Sequence, residues 1–535
     1  MTSITRLNDE NVRQFICNGV LLVDSDVDSE IHQGILHKLK HLNGSSAQTA
    51  SNILPQVPAL QNILDAPNIT GALSSLLGDG FMLHPMRIIV PSEPLAPEDR
   101  ALAIKGDENG PPLGEGSRSY TYWHKDTYAP LGRARYHTPR FLFLFYFPQD
   151  TPVEMGPTRV IPGSQYQDHT TEVDHPYAYV PTNVRAGTCI LTSYDIDHAG
   201  MSNRTEQTRH MVKFVFFRTQ TPDAPSWAGG HNTWQPPTQL LGQHKLPHTW
   251  SYIWDWMRGE TQRPLLPADN MSLQLAHLNS EDQQARIEAI YTLGSMGPLA
   301  VQPLIEKLLA FKGRNLIDPP YIQNPDGSFE TIGDPLERRW TEGGYQFQDE
   351  ALALGCLGEH AVEPLTELLT NPDPWIVINA AYALGQIGST AAGAVPYLAD
   401  LLDDADHRVV RAVLEAIACI GSNTKAALPA IENLLRTPRE QWRQTHQLEH
   451  LVGDQIHYNA VYALLLSDLH IEQMEDLLIE LLERPAPNIC VPATALELLL
   501  RRGTSVGQQC AIRYLQTRRW DETDWPGVAL PGRPD

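Results

Sequence analysis

The chain has 535 residues, 42% of them apolar and 19% charged, with 40 basic side chains against 63 acidic ones. That length exceeds what a single hydrophobic core organises, so two or more domains are expected. A formal charge of −23 repels phosphate backbones and anionic lipid, which argues against nucleic acid or a membrane surface as the principal partner.

The first residues carry no basic end followed by an apolar run, and no stretch of about 18 uninterrupted apolar residues occurs anywhere. Six cysteines (Cys17, Cys189, Cys356, Cys419, Cys490 and Cys510) lie far apart without a CxxC pair. Reduced thiols in a cytoplasmic protein are the expectation, rather than a disulfide frame or a zinc site.

Residues 9–17 read as an opening helix, Gly19 as its break and residues 20–23 as a strand. Further strands are expected at 81–90, 141–147, 187–192 and 211–217, aromatic or β-branched runs bounded by turns, as in a sandwich or barrel. Gly110-Pro111-Pro112 and Gly114-Glu115-Gly116 mark a loop, either a plain surface connection or a lid. Residues 220–270 hold Trp227, Trp234, Trp250, Trp254 and Trp256, and side chains of that size are expected to pack the two halves together.

From about residue 280 the texture is helical and repetitive. Ala289-Ile290-Tyr291-Thr292-Leu293-Gly294-Ser295-Met296-Gly297 parallels Ala380-Ala381-Tyr382-Ala383-Leu384-Gly385-Gln386-Ile387-Gly388, and related stretches end at Gly358 and Gly421. Prolines follow these glycines (Pro303, Pro364, Pro396, Pro429), and the steps from Gly358 to Gly388 and Gly421 are 30 and 33 residues. That period predicts a solenoid of helix pairs with glycine as the helix stop. The texture resembles short HEAT-like repeats, also found in phycobilisome-lyase proteins. It covers 280–440, apart from an insertion near 311–346, with further helices at 458–466, 474–482 and 493–500.

The chemistry-bearing stretch is Trp123-His124-Lys125-Asp126. Residues i and i+2 of a strand share a face, so His124 and Asp126 can address one metal. A second histidine would complete a facial triad that holds iron(II) and leaves open positions. After it come Gly156-Pro157-Thr158-Arg159-Val160-Ile161-Pro162-Gly163-Ser164, then Gly187-Thr188-Cys189, Asp197-His198-Ala199-Gly200, Asn203-Arg204 and Arg209.

That ordered set, across residues 7–220, resembles the phytanoyl-CoA dioxygenase family of iron(II)/2-oxoglutarate oxygenases. The resemblance implies a double-stranded β-helix (jelly roll) with flanking helices, here followed by the all-α repeats. It implies His124, Asp126 and His198 as ligands of Fe(II), and Arg209 as the anchor of the 2-oxoglutarate cosubstrate, with Thr158 adding a hydroxyl contact. His210 beside Arg209 points the opposite way on a strand. O2 is the implied oxidant, with 2-oxoglutarate going to succinate and carbon dioxide as a substrate C–H bond is oxidised. Met155 and Thr188 stand where the family often has Asn and Asp, a departure in local hydrogen bonding. Related halogenases replace the ligand carboxylate with a small residue, so Asp126 implies hydroxylation or another oxidation. His84, His137, His169 and His175 are read as structural or exposed.

The expected layout is an oxygenase domain over 1–222, a connecting segment over 223–275, repeats over 276–520 and a tail over 521–535. Because solenoids offer extended binding surfaces, a peptide- or carrier-bound substrate or a protein partner is expected on the repeats. The rival readings are a repeat scaffold with an inactive oxygenase domain, and a chromophore-lyase-like binding protein.

Overall fold

The computed structural model describes residues 4–42, 53–100, 123–126, 133–171, 173–229, 233–260, 263–313, 321–323, 329–331, 344–437, 439–442, 452–484 and 489–517. The Gly/Pro stretch at 110–116, most of the insertion near 311–346 and the tail from 521 lie outside them.

Helix α1 (Asp9–Asn18) starts where the Asn8 side chain accepts the Asn11 N–H, and stops at Gly19, whose φ is 69°. Strand β1 (Val20–Asp24) follows, then α2 (Ser29–His41), the short turns α3 (Ile53–Gln56) and α4 (Leu60–Leu64), and α5 (Pro67–Leu77). Next come β2 (Met82–Ile89), β3 (Arg133–Ala134), β4 (Phe141–Tyr146), β5 (Thr158–Val160), β6 (Thr188–Ser193), β7 (His198–Gly200) and β8 (Val212–Phe217). The four longer expected strands are all present within a residue or two of their expected ends. The short strands β3, β5 and β7 carry too few residues for any period to reveal.

A five-stranded antiparallel sheet runs in the order β1-β6-β4-β8-β2. Opposite it, β5 pairs with β7, and single bridges add His124 against His198 and Val160 against Tyr179. Two facing antiparallel sheets are the jelly-roll arrangement. Strands β4 and β8 are buried at every residue, so both of their faces are covered.

The tryptophan-rich segment packs against helices on both sides of it in the chain. Helix α6 (Pro247–Met257) packs on α1 and on α8 (Gln283–Leu293), which follows α7 (Met271–His277). Trp227, Trp250, Trp254 and Trp256 are buried. Trp254 sits 5.0 Å from Trp227 and 5.8 Å from Trp234, ring to ring, and the Trp227 indole N–H donates to Asp9 Oδ1 at 2.7 Å.

The repeats then stack as two rows. The inner row holds α8, α10 (Asp349–Cys356), α12 (Pro374–Ile387), α14 (His407–Ile420), α16 (Val452–Leu466) and α18 (Cys490–Arg502). The outer row holds α9 (Val301–Leu309), α11 (Glu359–Leu368), α13 (Val395–Asp400), α15 (Leu428–Arg436), α17 (Glu475–Glu483) and α19 (Ser505–Gln516). Short strands β9 (Tyr321–Gln323), β10 (Phe329–Thr331) and β11 (Gly344–Tyr345) fall between α9 and α10. Gly358, Gly388 and Gly421 take φ of 62°, 76° and 65°, the backbone that ends each inner helix and that glycine adopts without strain.

An inner-row helix needs one apolar stripe to meet its outer partner, yet α12 and α14 are covered on all sides. Every residue from Trp375 to Gly385 is buried, as is every residue from Val409 to Ile420, including Arg411 and Glu415. The cover is the barrel, at the end where β4 begins and β8 finishes. Tyr462 packs 5.4 Å from Phe217 and 6.3 Å from Phe141, and His84 packs 5.8 Å from Tyr458. Burial drives the His84 imidazole down to a pKa of about 3, so it stays neutral.

A shared core implies shared unfolding. Calorimetry is expected to give one cooperative transition for both halves, and Tyr462→Ala to cost ~3 kcal/mol. Two resolved transitions would separate the halves thermodynamically.

Candidate functional site

The site is built on one backbone exchange. The His124 N–H donates to the His198 carbonyl at 3.2 Å, and the His198 N–H donates to the His124 carbonyl at 3.0 Å. Residues directly opposite in an antiparallel pair project to the same face. The two imidazoles therefore lie side by side, with ring centroids 4.4 Å apart. Only this bridge makes the 123–126 segment strand-like; it is extended, and no continuous strand carries the HxD pair.

Asp126, two residues on, turns to the same face. Its Oδ1 lies 3.5 Å from His124 Nε2 and 3.8 Å from His198 Nε2. Among the described residues, His124, Asp126 and His198 are the one group of three whose donor atoms all lie within 4.8 Å of one another. The His198 Nδ1 is 3.2 Å from the Ile196 carbonyl. A carbonyl only accepts, so Nδ1 carries the proton and the Nε2 lone pair faces the cluster. Burial, and next the neighbouring His124, push His198 down to a pKa of about 3, so its imidazole is neutral and available as a ligand at ordinary pH.

Sequence reasoning overlooked Lys213. It lies on β8 as the lone charge in Val212-Lys213-Phe214-Val215-Phe216-Phe217, and a charge inside a fully apolar strand is the signal that could have found it. Its ammonium pairs with Asp126 Oδ2 and sits 4.1 Å above the Phe143 ring. The two carboxylate oxygens thus divide their partners, Oδ1 facing the imidazoles and Oδ2 taking the lysine. Burial opposes charge on Asp126. Lys213 and the hydrogen bond from His124 outweigh it and hold the carboxyl well below the usual range.

Arg209 is buried at the edge of the barrel. It bridges in register with Ser92, and its Nη1 and Nη2 donate to the carbonyls of Gly156 (3.1 Å) and Val90 (3.4 Å). Its Nε is buried with no protein acceptor, and burial lowers its pKa to about 10. Gly156 meets two needs of this corner, a φ of 77° and bare space, since a Cβ there would lie 2.2 Å from the Met201 carbonyl. Thr158 is buried with its hydroxyl 3.5 Å from Met211 Sδ, two residues along the chain from the Arg209-bonded carbonyl. The backbone N–H of His210 donates to Gln149 Oε1 at 3.2 Å.

Of the two departures, Met155 accepts from Gln149 Nε2 at 3.3 Å, and the Thr188 hydroxyl accepts the Arg185 N–H at 3.0 Å, closing a turn. His137 bonds Tyr291 on α8 at 2.7 Å and His175 stacks on Trp123, so neither joins the cluster.

Lys213→Met removes the partner of a carboxylate whose side chain is 23% exposed. Differential scanning fluorimetry of the metal-free variant is expected to show a loss of ~2 kcal/mol. Cobalt(II) is expected to recover more of the variant's stability than the parent's, because a bound cation replaces the missing charge. Equal stability of metal-free parent and variant would contradict the pairing.

Known proteins resemble both halves. Residues 110–211 match the family model of phytanoyl-CoA dioxygenase (PhyH), and residues 350–418 match that of HEAT repeats. Among solved structures, the non-heme alpha ketoglutarate dependent epimerase SnoN from nogalamycin biosynthesis is 18% identical, covering 44% of this chain and 94% of that one, with a TM-score of 0.29. EctD from S. alaskensis, solved with 2-oxoglutarate and 5-hydroxyectoine, is 15% identical over 45% of this chain and 88% of that one, with a TM-score of 0.31. The nickel complex of the non-heme monooxygenase ThoJ is 16% identical over 43% and 89%, with a TM-score of 0.29. No curated protein matches. The chain thus carries a segment that matches the phytanoyl-CoA dioxygenase family model, followed by one that matches HEAT repeats.

Proposed function

We propose that the protein is an Fe(II)/2-oxoglutarate-dependent dioxygenase that hydroxylates, or otherwise oxidises, a C–H bond of an organic substrate. The observation that carries this reading is the His124–Asp126–His198 cluster, with one carboxylate oxygen turned to two imidazole Nε2 atoms. Two neutral imidazoles and a carboxylate suit ferrous iron, and three protein ligands on one side leave the remaining positions to non-protein ligands. Iron held there supplies the redox chemistry that couples O2-dependent decarboxylation of 2-oxoglutarate to oxidation of the substrate.

The chain's own residues supply the rest. The Ile196 carbonyl fixes the His198 tautomer, and Lys213 occupies the second Asp126 oxygen. Arg209 is a buried guanidinium with an unused N–H, suited to the distal carboxylate of 2-oxoglutarate in a two-pronged pair, with the Thr158 hydroxyl as a further contact. Phe143 and Phe145, each 5.8 Å from the His198 ring, wall the cluster against water on the sheet side.

In this organisation the oxygenase domain spans 1–222, the connecting segment 223–275, the repeats 276–520 and the tail 521–535. A peptide- or carrier-bound substrate, or a protein partner, would meet the outer row of repeat helices, since the inner row is covered. Leu299 and Tyr397 stand exposed on that outer side.

The test is succinate release from 2-oxoglutarate by protein loaded anaerobically with Fe(II) and then given O2. Slow uncoupled turnover is expected in the parent and none in Asp126→Ala. Arg209→Leu is expected to raise the 2-oxoglutarate concentration needed by at least about thirtyfold, the lower end for losing a buried charge pair. No succinate, together with no visible band on adding 2-oxoglutarate to the iron-loaded protein, would favour the scaffold reading instead.

A further inference from the structure

We infer that the HEAT repeats form a wall of the metal site, and that Glu415 on α14 is the positioning residue through which they hold the ligand-bearing segment. This rests on reading His124, Asp126 and His198 as metal ligands.

Alternation along the extended segment is the first ground. His124 and Asp126 face the cluster, so Lys125 between them faces away, and its ammonium donates to the carbonyls of Ser164 (2.8 Å) and Gln167. The next residue, Asp168, belongs to the repeats as much as to the barrel. Its carboxylate pairs with Arg286 of α8, its N–H donates to Gln283 Oε1 at 2.9 Å, and Arg286 Nε lies 3.1 Å from Asp349 Oδ2 of α10.

The second ground lies downstream of Asp126. Strand β3 finds its ladder partner in the repeat half, pairing in parallel with β11. The Ala134 N–H donates to both carboxylate oxygens of Glu415 (3.2 and 3.1 Å), and the Tyr136 hydroxyl donates to the same carboxylate. Arg135, between them, points the other way and reaches both ligand segments. Its Nη1 bonds Asp195 Oδ1 at 2.6 Å, three residues before His198, and its Nη2 reaches the Asp126 carbonyl at 3.4 Å. Tyr194, next to Asp195, stacks on Phe143 at 4.3 Å.

One buried carboxylate on a repeat helix therefore fixes the strand whose central residue ties the Asp126 segment to the His198 segment. A contact that served only to hold two domains together could be apolar, as Tyr462 against Phe141 and Phe217 already is. Glu415 instead commits both oxygens to residues 134 and 136, and so sets the direction of Arg135. With it in place, His124, Asp126 and His198 are held at metal-binding separation. Without it, the segment keeps its sequence and loses its register against β7.

The experiment uses the full chain and Co(II) as the probe, read by titration and by its d–d absorption bands, with circular dichroism reporting folding. Glu415→Ala is expected to fold, to weaken Co(II) binding about tenfold or more, and to alter the band shape, as loss of outer-shell partners of metal ligands does. Glu415→Gln, which keeps one acceptor oxygen, is expected to fall between, and Leu265→Ala, exposed in the connecting segment, to match the parent. If Glu415→Ala does not fold, Glu415→Gln decides. A folded variant with parental affinity and bands overturns the inference alone. A parent that binds no Co(II) overturns the metal-site reading, and the inference with it.

Discussion

Two backbone hydrogen bonds between His124 and His198 are the constraint from which the site follows. They place the two residues directly opposite, so both imidazoles project to one face with no adjustment of either chain segment. Asp126 joins them through the two-residue period of extended backbone. The small sheet of β5 and β7 continues the same pairing and carries it to the Gly156 corner, where Arg209 is fixed. A displacement of one residue at the His124 bridge would turn all of the 123–126 side chains over, leaving Lys125 where His124 and Asp126 stand.

The electrostatics of the cluster depend on how its charges are shared out. Gathering a carboxylate and two imidazoles among Phe143, Phe145 and Tyr194 carries a desolvation cost, and His198 limits its share by staying neutral. The carboxylate cannot, and Lys213 supplies the balancing charge from β8. Because the lysine approaches Oδ2 alone, Oδ1 keeps its orientation toward the histidines. Arg209 follows a related logic on the far side, a buried guanidinium held by two carbonyls and, among the described residues, by no carboxylate.

The repeats change the meaning of the molecule's second half. A solenoid is usually pictured as an open surface awaiting a partner, yet here the inner helices α12 and α14 are buried along almost their whole length. Helix α14 is the clearest instance: the polar stripe that should face water contains Arg411 and Glu415, both buried, and Glu415 meets the strand that follows the ligand segment. Barrel and repeats share one hydrophobic core through Tyr458, Tyr462 and the tryptophans of the connecting segment. The outer row, with its few buried residues per helix, keeps the exposed surface.

How much of this was legible beforehand follows from the range of each interaction. Strands β4, β6 and β8 and the repeat helices declare themselves through local apolar patterning, and Gly358, Gly388 and Gly421 through the backbone that only glycine takes without strain. His124, Asp126, His198 and Arg209 were legible as types in order, through the resemblance their motifs carry, and the structure brings the first three together. Local pattern thus carries the two textures, the candidate ligands and their order along the chain. Long-range packing sets Lys213 against Asp126, turns the inner row of repeats to the barrel, and brings Glu415 to Ala134 and Tyr136. The Lys213–Asp126, Glu415–Ala134 and Glu415–Tyr136 pairs lie 87, 281 and 279 residues apart in the chain. No local pattern encodes a contact across that separation, and it exists only once two hydrophobic surfaces have closed upon each other.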